Sequence, residues 1–261
     1  EGHGESIRRS PASNNNIYIS VMLPQEFEQL PLGKGVDVIG YKEGLLALYK
    51  PESIRSHPNS DKRVDKQALL LAPFSLKEEC YLLDNGRKLY LLHRLDGPTS
   101  GVIVLTADAA IAEKVRQLFE DHNLEKIYYA WVKGKPRKIN PLWKDRIRVS
   151  KKGGKLRSIV GSGDISLCKA KALRCIEKKG IALTLLRLKP QTGRTHQLRV
   201  QCASRYIPII GDMTYGDYNL NKAFAKAFGE KRLFLHAGRI SLSFGKKQIS
   251  FEAEMPKSFQ L

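Results

Sequence analysis

The sequence predicts an α+β fold, with a large mixed, mostly antiparallel central sheet flanked by helices and loops. Three observations predict it. Short apolar and β-branched runs recur along the chain between turn-forming residues, as strands do. Helical spacing is confined to a few stretches, which separates this pattern from a regular alternation of strands and helices. The 261 residues suffice for one buried core, and no internal repeat or low-complexity linker divides them. Residues 17–261 are therefore expected as a single domain. Residues 1–16, which do not begin with Met, are expected as an appendage, disordered or of engineered origin.

Taken in order, 17–21 predicts a short opening strand and 24–35 a loop. Strands follow at 36–39 and 45–49, joined by a turn at Lys42-Glu43-Gly44. Pro51 ends the second, because proline cannot donate to a sheet ladder. Val64, Ala68 and Leu71 suggest a helix over 61–71. Residues 89–92 lead into His93-Arg94-Leu95-Asp96, and Val102-Ile103-Val104-Leu105 predicts a strand buried on both faces. A helix is expected next, with Asp108 as its cap and Ile111, Val115, Leu118 and Phe119 on one face up to His122. A strand at 127–132 stops at Gly134 and Pro136. Further strands are expected at 170–176, 181–188, 233–235, 240–244 and 248–254.

Charge narrows the function. Lys and Arg number 45 against 26 Asp and Glu, a formal net charge of +19. An excess of that size attracts polyanions, and nucleic acid is the commonest such partner. The excess is concentrated: 133–157 holds eleven Lys or Arg and one acidic residue, Asp145. Lys151-Lys152-Gly153-Gly154-Lys155 forms a turn in its middle, so the stretch is a basic hairpin or loop whose Lys151, Lys152 and Lys155 suit phosphate contact. No apolar run approaches the ~20 residues of a membrane span. Cys80, Cys168, Cys175 and Cys202 lack the close spacing of a zinc site, and reduced thiols in a cytoplasmic protein are expected. No glycine-rich phosphate loop, His metal cluster or Gly-x-Ser-x-Gly elbow is present, which leaves chemistry without a cofactor or metal.

Two segments could carry such chemistry. In the first, Asp96 precedes the buried run 102–105, at the mouth of a sheet where a carboxylate can be desolvated and aimed. A single Asp in that position is more often a turn former. In the second, Thr192-Gly193-Arg194-Thr195-His196-Gln197-Leu198-Arg199 gathers polar groups that need partners; a phosphate, a carboxylate or a flipped base would supply them.

The string His93-Arg94-Leu95-Asp96 with Thr99-Ser100-Gly101 resembles the catalytic motif of the RluA-type pseudouridine synthases. Four further segments resemble that family in order: Lys50-Pro51 through His57-Pro58, 126–134 with Lys126 and Tyr128, 190–216 with Arg194 and Arg199, and His236-Ala237 with the closing strands. Ser53 stands where a Gly is usual, Gln201 where a His is common, and Gly245-Lys246-Lys247 where a His-Pro pair is found. The resemblance implies the pseudouridine synthase fold as a stand-alone catalytic domain without an S4 module. It also implies an RNA uridine-to-pseudouridine isomerase needing neither cofactor nor metal, since substrate and product hold the same atoms. Asp96 is implied as the essential carboxylate, attacking sugar or base or removing the C2′ proton. Arg194 is implied as its guanidinium partner, with Arg199 as the fallback and as an RNA contact, and Tyr128 as the aromatic that stacks on the uracil. Arg94 is implied as the residue that fills the space left by the flipped base, and Lys126 and Lys50 as structural or phosphate-facing. The expected partner is ribosomal RNA or tRNA, the expected state a cytoplasmic monomer. The rival is a non-catalytic RNA-binding or ribosome-assembly factor that retains the fold.

Overall fold

The computed structural model describes residues 6–9, 20–152 and 155–261, and the side chains from Leu23 onward apart from those of Glu26, Lys152 and Lys155. The expected strand at 17–21 and the appendage at 1–16 thus lie largely outside the described residues. Two compact units make up the chain, 1–123 with 242–253 and 124–241 with 254–261.

The first unit contains β1 (Ser6–Arg9), β2 (Ser20–Leu23), β3 (Asp37–Lys42), β4 (Leu45–Lys50), β5 (Phe74–Ser75), β6 (Cys80–Leu82), β7 (Lys88–Leu91), β8 (Ser100–Thr106) and α1 (Ala109–Glu120). β8 is buried at every position and pairs antiparallel with β4 on one side and β7 on the other. Its continuous apolar run is what a strand covered on both faces requires. β3 and β4 form a hairpin whose turn holds Glu43 at φ 51° and Gly44 at φ 79°. Two successive positive φ values suit the twist of a tight hairpin, and Gly takes one of them without steric cost. Asp108 caps α1 by accepting from the amides of Ala110 and Ile111.

Residues 61–71 do not form the expected helix. Long-range pairing takes their backbone instead: Arg55 N donates to Gln67 O, Leu69 N to Arg55 O and Leu71 N to Pro31 O. Asp65 accepts from the amide of Gln67 and forms an ion pair with Arg55, closing a local turn. Ala68, Leu69 and Leu70 are buried in succession, while Val64 and Leu71 are exposed. A helix of this length cannot bury three consecutive positions and expose those two faces.

The second unit contains β9 (Leu124–Lys133), β10 (Leu142–Lys152), β11 (Lys155–Val160), β12 (Asp164–Lys178), β13 (Ile181–Pro190), α2 (Gln197–Ala203), α3 (Tyr218–Phe228) and the start of β14 (Leu235–Phe244), after which β15 (Lys247–Glu252) returns to the first unit. Its strands lie in the order β11-β10-β12-β13-β9, all antiparallel. The basic stretch is the β10–β11 hairpin, with Lys152 opposite Lys155. One core runs beneath this sheet, with Trp131, Trp143, Leu183, Leu186, Phe224 and Phe234 at its centre. The helices α2 and α3 were not expected. Asp217 accepts from Leu220 N at the start of α3, and Gly229 at φ 76° ends it.

Candidate active site

Asp96 sits in the extended segment between β7 and β8, half-buried. Its backbone is held on both sides by buried side chains from residues 50–56. Before it, the Ser56 hydroxyl donates to Leu95 O and accepts from Leu95 N, both at 2.9 Å. The Tyr81 hydroxyl donates to Ser56 O at 2.8 Å, which fixes that serine in turn. After it, the fully buried Lys50 ammonium donates to Gly97 O at 2.9 Å, Ile54 O at 2.6 Å and Pro51 O at 3.0 Å. Thr99 N closes the turn onto Asp96 O. Upstream, His93 Nε2 accepts from Val104 N and its ring stacks on Phe119 of α1. Buried polar groups must be satisfied, so each of these bonds resists displacement of the loop. Together they hold the Asp96 backbone from both sides.

Arg94 is exposed, with Nη1 3.4 Å from His57 Nε2. His57 Nδ1 lies 2.7 Å from Pro58 O. The Nδ1 proton therefore goes to that carbonyl, and Nε2 is left to accept from Arg94. Stacking of the His57 ring on Phe74 holds it in place.

In the second unit, the polar groups of 192–199 mostly find partners within the protein. Gln197 Oε1 accepts from Thr192 Oγ1 at 2.7 Å and from Arg194 N at 3.2 Å, while its Nε2 donates to Leu167 O. His196, at φ 52°, meets the Tyr215 hydroxyl at 2.9 Å, and that hydroxyl accepts from Ser158 N. The Ser158 hydroxyl donates to Thr195 O. These bonds shape a rigid turn from which Arg194 projects, its side chain 44% exposed and paired with Asp164 at 3.1 Å. Asp164 is itself mostly exposed, so this pair holds Arg194 only weakly. Lys126 lies beside the same turn, with Nζ 3.6 Å from where a side chain on Gly193 would begin. Burial pushes its ammonium below the ordinary value. Tyr128 is half-buried on β9 and packs against the core of the unit.

Arg199 is placed differently from the expectation of RNA contact. It is buried and forms a bidentate pair with Asp212, Nε and Nη2 each donating at 2.8 Å. Its guanidinium also lies over the Tyr215 ring. Burial alone would raise the Asp212 carboxyl, but the hydrogen bonds and charge of Arg199 outweigh it and hold Asp212 below its usual range. Asp212 in turn accepts from the amides of Thr214 and Tyr215. The pair thus braces the 211–216 turn. Gly211 there, at φ 75°, has no room for a side chain, which would collide with Arg232 O. Lys151 is exposed on the basic hairpin; Gly153 and Gly154, and the side chains of Lys152 and Lys155, lie outside the described residues.

Sequence reading gave no role to Ser56 or Tyr81. Ser56 does sit in the 50–58 segment that resembles the family. Its contact with Leu95 spans 39 positions and leaves no local signal. Among the described residues, no group of three or more His, Cys, Asp or Glu could hold a metal ion, and no helix is long and apolar enough to cross a membrane.

The chain belongs to the RNA pseudouridylate synthase family, whose model matches residues 44–204. Among its relatives, tRNA pseudouridine synthase C of Vibrio cholerae serotype O1 is 32% identical over 213 residues, covering 78% of this chain and 84% of that protein. The protein of the same title from Yersinia pestis is 29% identical over 216 residues, covering 80% and 81%. The structure titled Human RNA Pseudouridylate Synthase Domain Containing 1 superposes with a TM-score of 0.65 at 22% identity, over 85% of this chain and 84% of that one. Human RNA Pseudouridylate Synthase Domain Containing 4 gives 0.64 at 21%, over 86% and 90%. At such identities the two structures speak for the fold. The α+β fold class and the activity, an RNA pseudouridine synthase and hence an isomerase, are borne out.

Proposed function

We propose that the enzyme converts a uridine of tRNA to pseudouridine with Asp96 as its essential carboxylate. The observation that carries the choice of residue is the double clamp on the Asp96 backbone by Ser56 and Lys50. Side chains this deeply buried are costly to satisfy, and here they fix the position of one half-buried acid. Relatives whose titles name tRNA support that substrate over ribosomal RNA.

In this reading Asp96 attacks sugar or base, or takes the C2′ proton, and the detached uracil turns before it rejoins through C5. Tyr128 stacks on the uracil, and Arg194 supplies the guanidinium charge. Arg94, held by His57, enters the RNA where the base leaves and offsets part of the unstacking cost. Lys126 and Lys151, with Lys152 and Lys155, meet phosphate, whereas Arg199 braces the 211–216 turn. The same atoms enter and leave, so the reaction calls for no metal or cofactor. The enzyme acts as a cytoplasmic monomer.

Tritium release from 5-tritiated uridine in cellular tRNA and, separately, in ribosomal RNA tests this. Release from tRNA, abolished by Asp96→Asn, is expected. Release from ribosomal RNA alone would overturn the substrate, and turnover by a folded Asp96→Asn variant would overturn the residue.

A further inference from the structure

The β10–β11–β12 ribbon sorts its charges by face. Side chains alternate along a strand, and residues directly opposite share a face. On β10, Trp143, Asp145 and Ile147 point to the side covered by α2. Trp143 and Ile147 are buried, and Asp145 pairs with Arg205 and accepts from Gln201 of that helix. Asp164 lies opposite Ile147, on the same side, and pairs with Arg194. Both acidic residues of this part of the ribbon are therefore turned toward α2.

The other face is basic. Lys144, Arg146 and Arg148 follow one another on β10, all exposed. Arg157 lies opposite Ser150 on β11, and Lys169 and Lys171 continue the face on β12, also exposed. Among the described residues none of these six is paired with a carboxylate; Arg146 donates to Gly163 O. Three apolar residues are interleaved and about half exposed: Leu142 opposite Lys169, Ile165 opposite Arg146 and Ile159 opposite Arg148. Cations two residues apart on a strand stand about 7 Å from one another, in line along an extended track.

We infer that this outward face is a second RNA-binding surface. It holds the backbone of the substrate on the side of the sheet opposite Arg194 and Tyr128. Tyr128 shares the α2 side by register, through Leu188 and Ala170. β11 ends the strand order of this unit, so RNA can pass around that edge from one face to the other. The occupant is RNA because six cations in register suit a repeating phosphate charge, and RNA is the polyanion this family modifies. An acidic lipid surface offers the same charge and is the alternative the test must separate. The inference rests on an RNA substrate but not on the assignment of Asp96.

The test is a fourfold variant, Lys144→Gln, Arg148→Gln, Lys169→Gln and Lys171→Gln, compared with the unaltered enzyme. Binding and turnover are measured on full-length tRNA and on a short stem-loop bearing the target uridine. For tRNA, affinity is expected to fall about ten-fold or more, with the log–log salt slope shallower by about three for four lost phosphate contacts. The rate at saturating RNA and the affinity for the stem-loop are expected to stay unchanged. Equal weakening on both RNAs, a loss of saturating rate, or no change on tRNA would overturn the inference. So would binding of the unaltered enzyme to phosphatidylserine vesicles that the variant loses while its tRNA affinity stays intact. Tritium release by the unaltered enzyme on the same tRNA reports separately on the substrate.

Discussion

The loop of Asp96 and the turn of Arg194 are both polar and both rigid, yet they are held in opposite ways. Asp96 is positioned by distant side chains: Ser56 and Lys50 reach it across 39 and 47 positions of sequence. Arg194 is positioned by near neighbours, Gln197 and Thr192, with the strand residue Leu167 as anchor. The first arrangement rests wholly on contacts that form once the unit has folded, whereas the second combines bonds within its own eight residues with ties to Leu167, Ser158 and Tyr215. Damage to the clamp of Asp96 should therefore reach stability and catalysis together, while damage at the Arg194 turn should stay local.

The largest effect is expected at the carboxylate itself. Asp96→Asn should lower turnover by about 10⁴-fold or more and leave thermal unfolding and RNA affinity close to those of the unaltered enzyme. A large drop in melting temperature would show that Asp96 belongs to the clamp and not only to the chemistry. Next come the buried charges. Lys50→Met leaves three carbonyls without a donor and should cost about 3 kcal/mol or more in urea unfolding. Because Gly97 O is one of those carbonyls, kcat should fall with it.

Arg199→Met leaves Asp212 buried without its main partner and should cost about 3–5 kcal/mol, with pH as the diagnostic. Folding lowers the pKa of Asp212, so its contribution is fully present above the unfolded carboxylate value of about 4. That contribution is lost as pH falls through the lower folded value. Asp212→Asn should flatten this acid limb of a stability profile; an unchanged limb would remove the pair as its source. Ser56→Ala removes two hydrogen bonds at Leu95 and should cost about 1–3 kcal/mol, again with reduced kcat. The smallest effect is expected at the exposed Arg194–Asp164 pair, where Asp164→Asn should change stability by less than about 0.5 kcal/mol. A larger change would mean that the Arg194 turn depends on that pair as the Asp96 loop depends on its clamp.

Much of the fold was legible in the chain. The run 102–105 is a buried strand and Asp108 caps a helix, because burial on two faces and N-capping are written in adjacent residues. The caps Asp217 and Gly229 are equally plain in the chain and bound α3, a helix outside the expectation. The helix expected at 61–71 failed for another reason: Arg55 and Pro31 claim its backbone, and no local pattern shows that. Ser53 is informative in the same way. It stands where the family usually has Gly, and the structure places it at φ 69°, the conformation glycine adopts most cheaply.

The sequence by itself determined the family, the candidate acid and the concentration of positive charge, since motif, composition and alternation are local properties of the chain. Only the tertiary structure decided what each charge does. Arg199 and Arg194 sit five residues apart with similar surroundings in sequence; one is buried against Asp212 and the other stands half exposed from its turn. The cations of the β10–β12 ribbon gain a common face only through strand register. Asp96 gains its fixed position only when Lys50 and Ser56 reach it. Electrostatic and hydrogen-bonding roles depend on distance and burial, and these arise when remote segments meet.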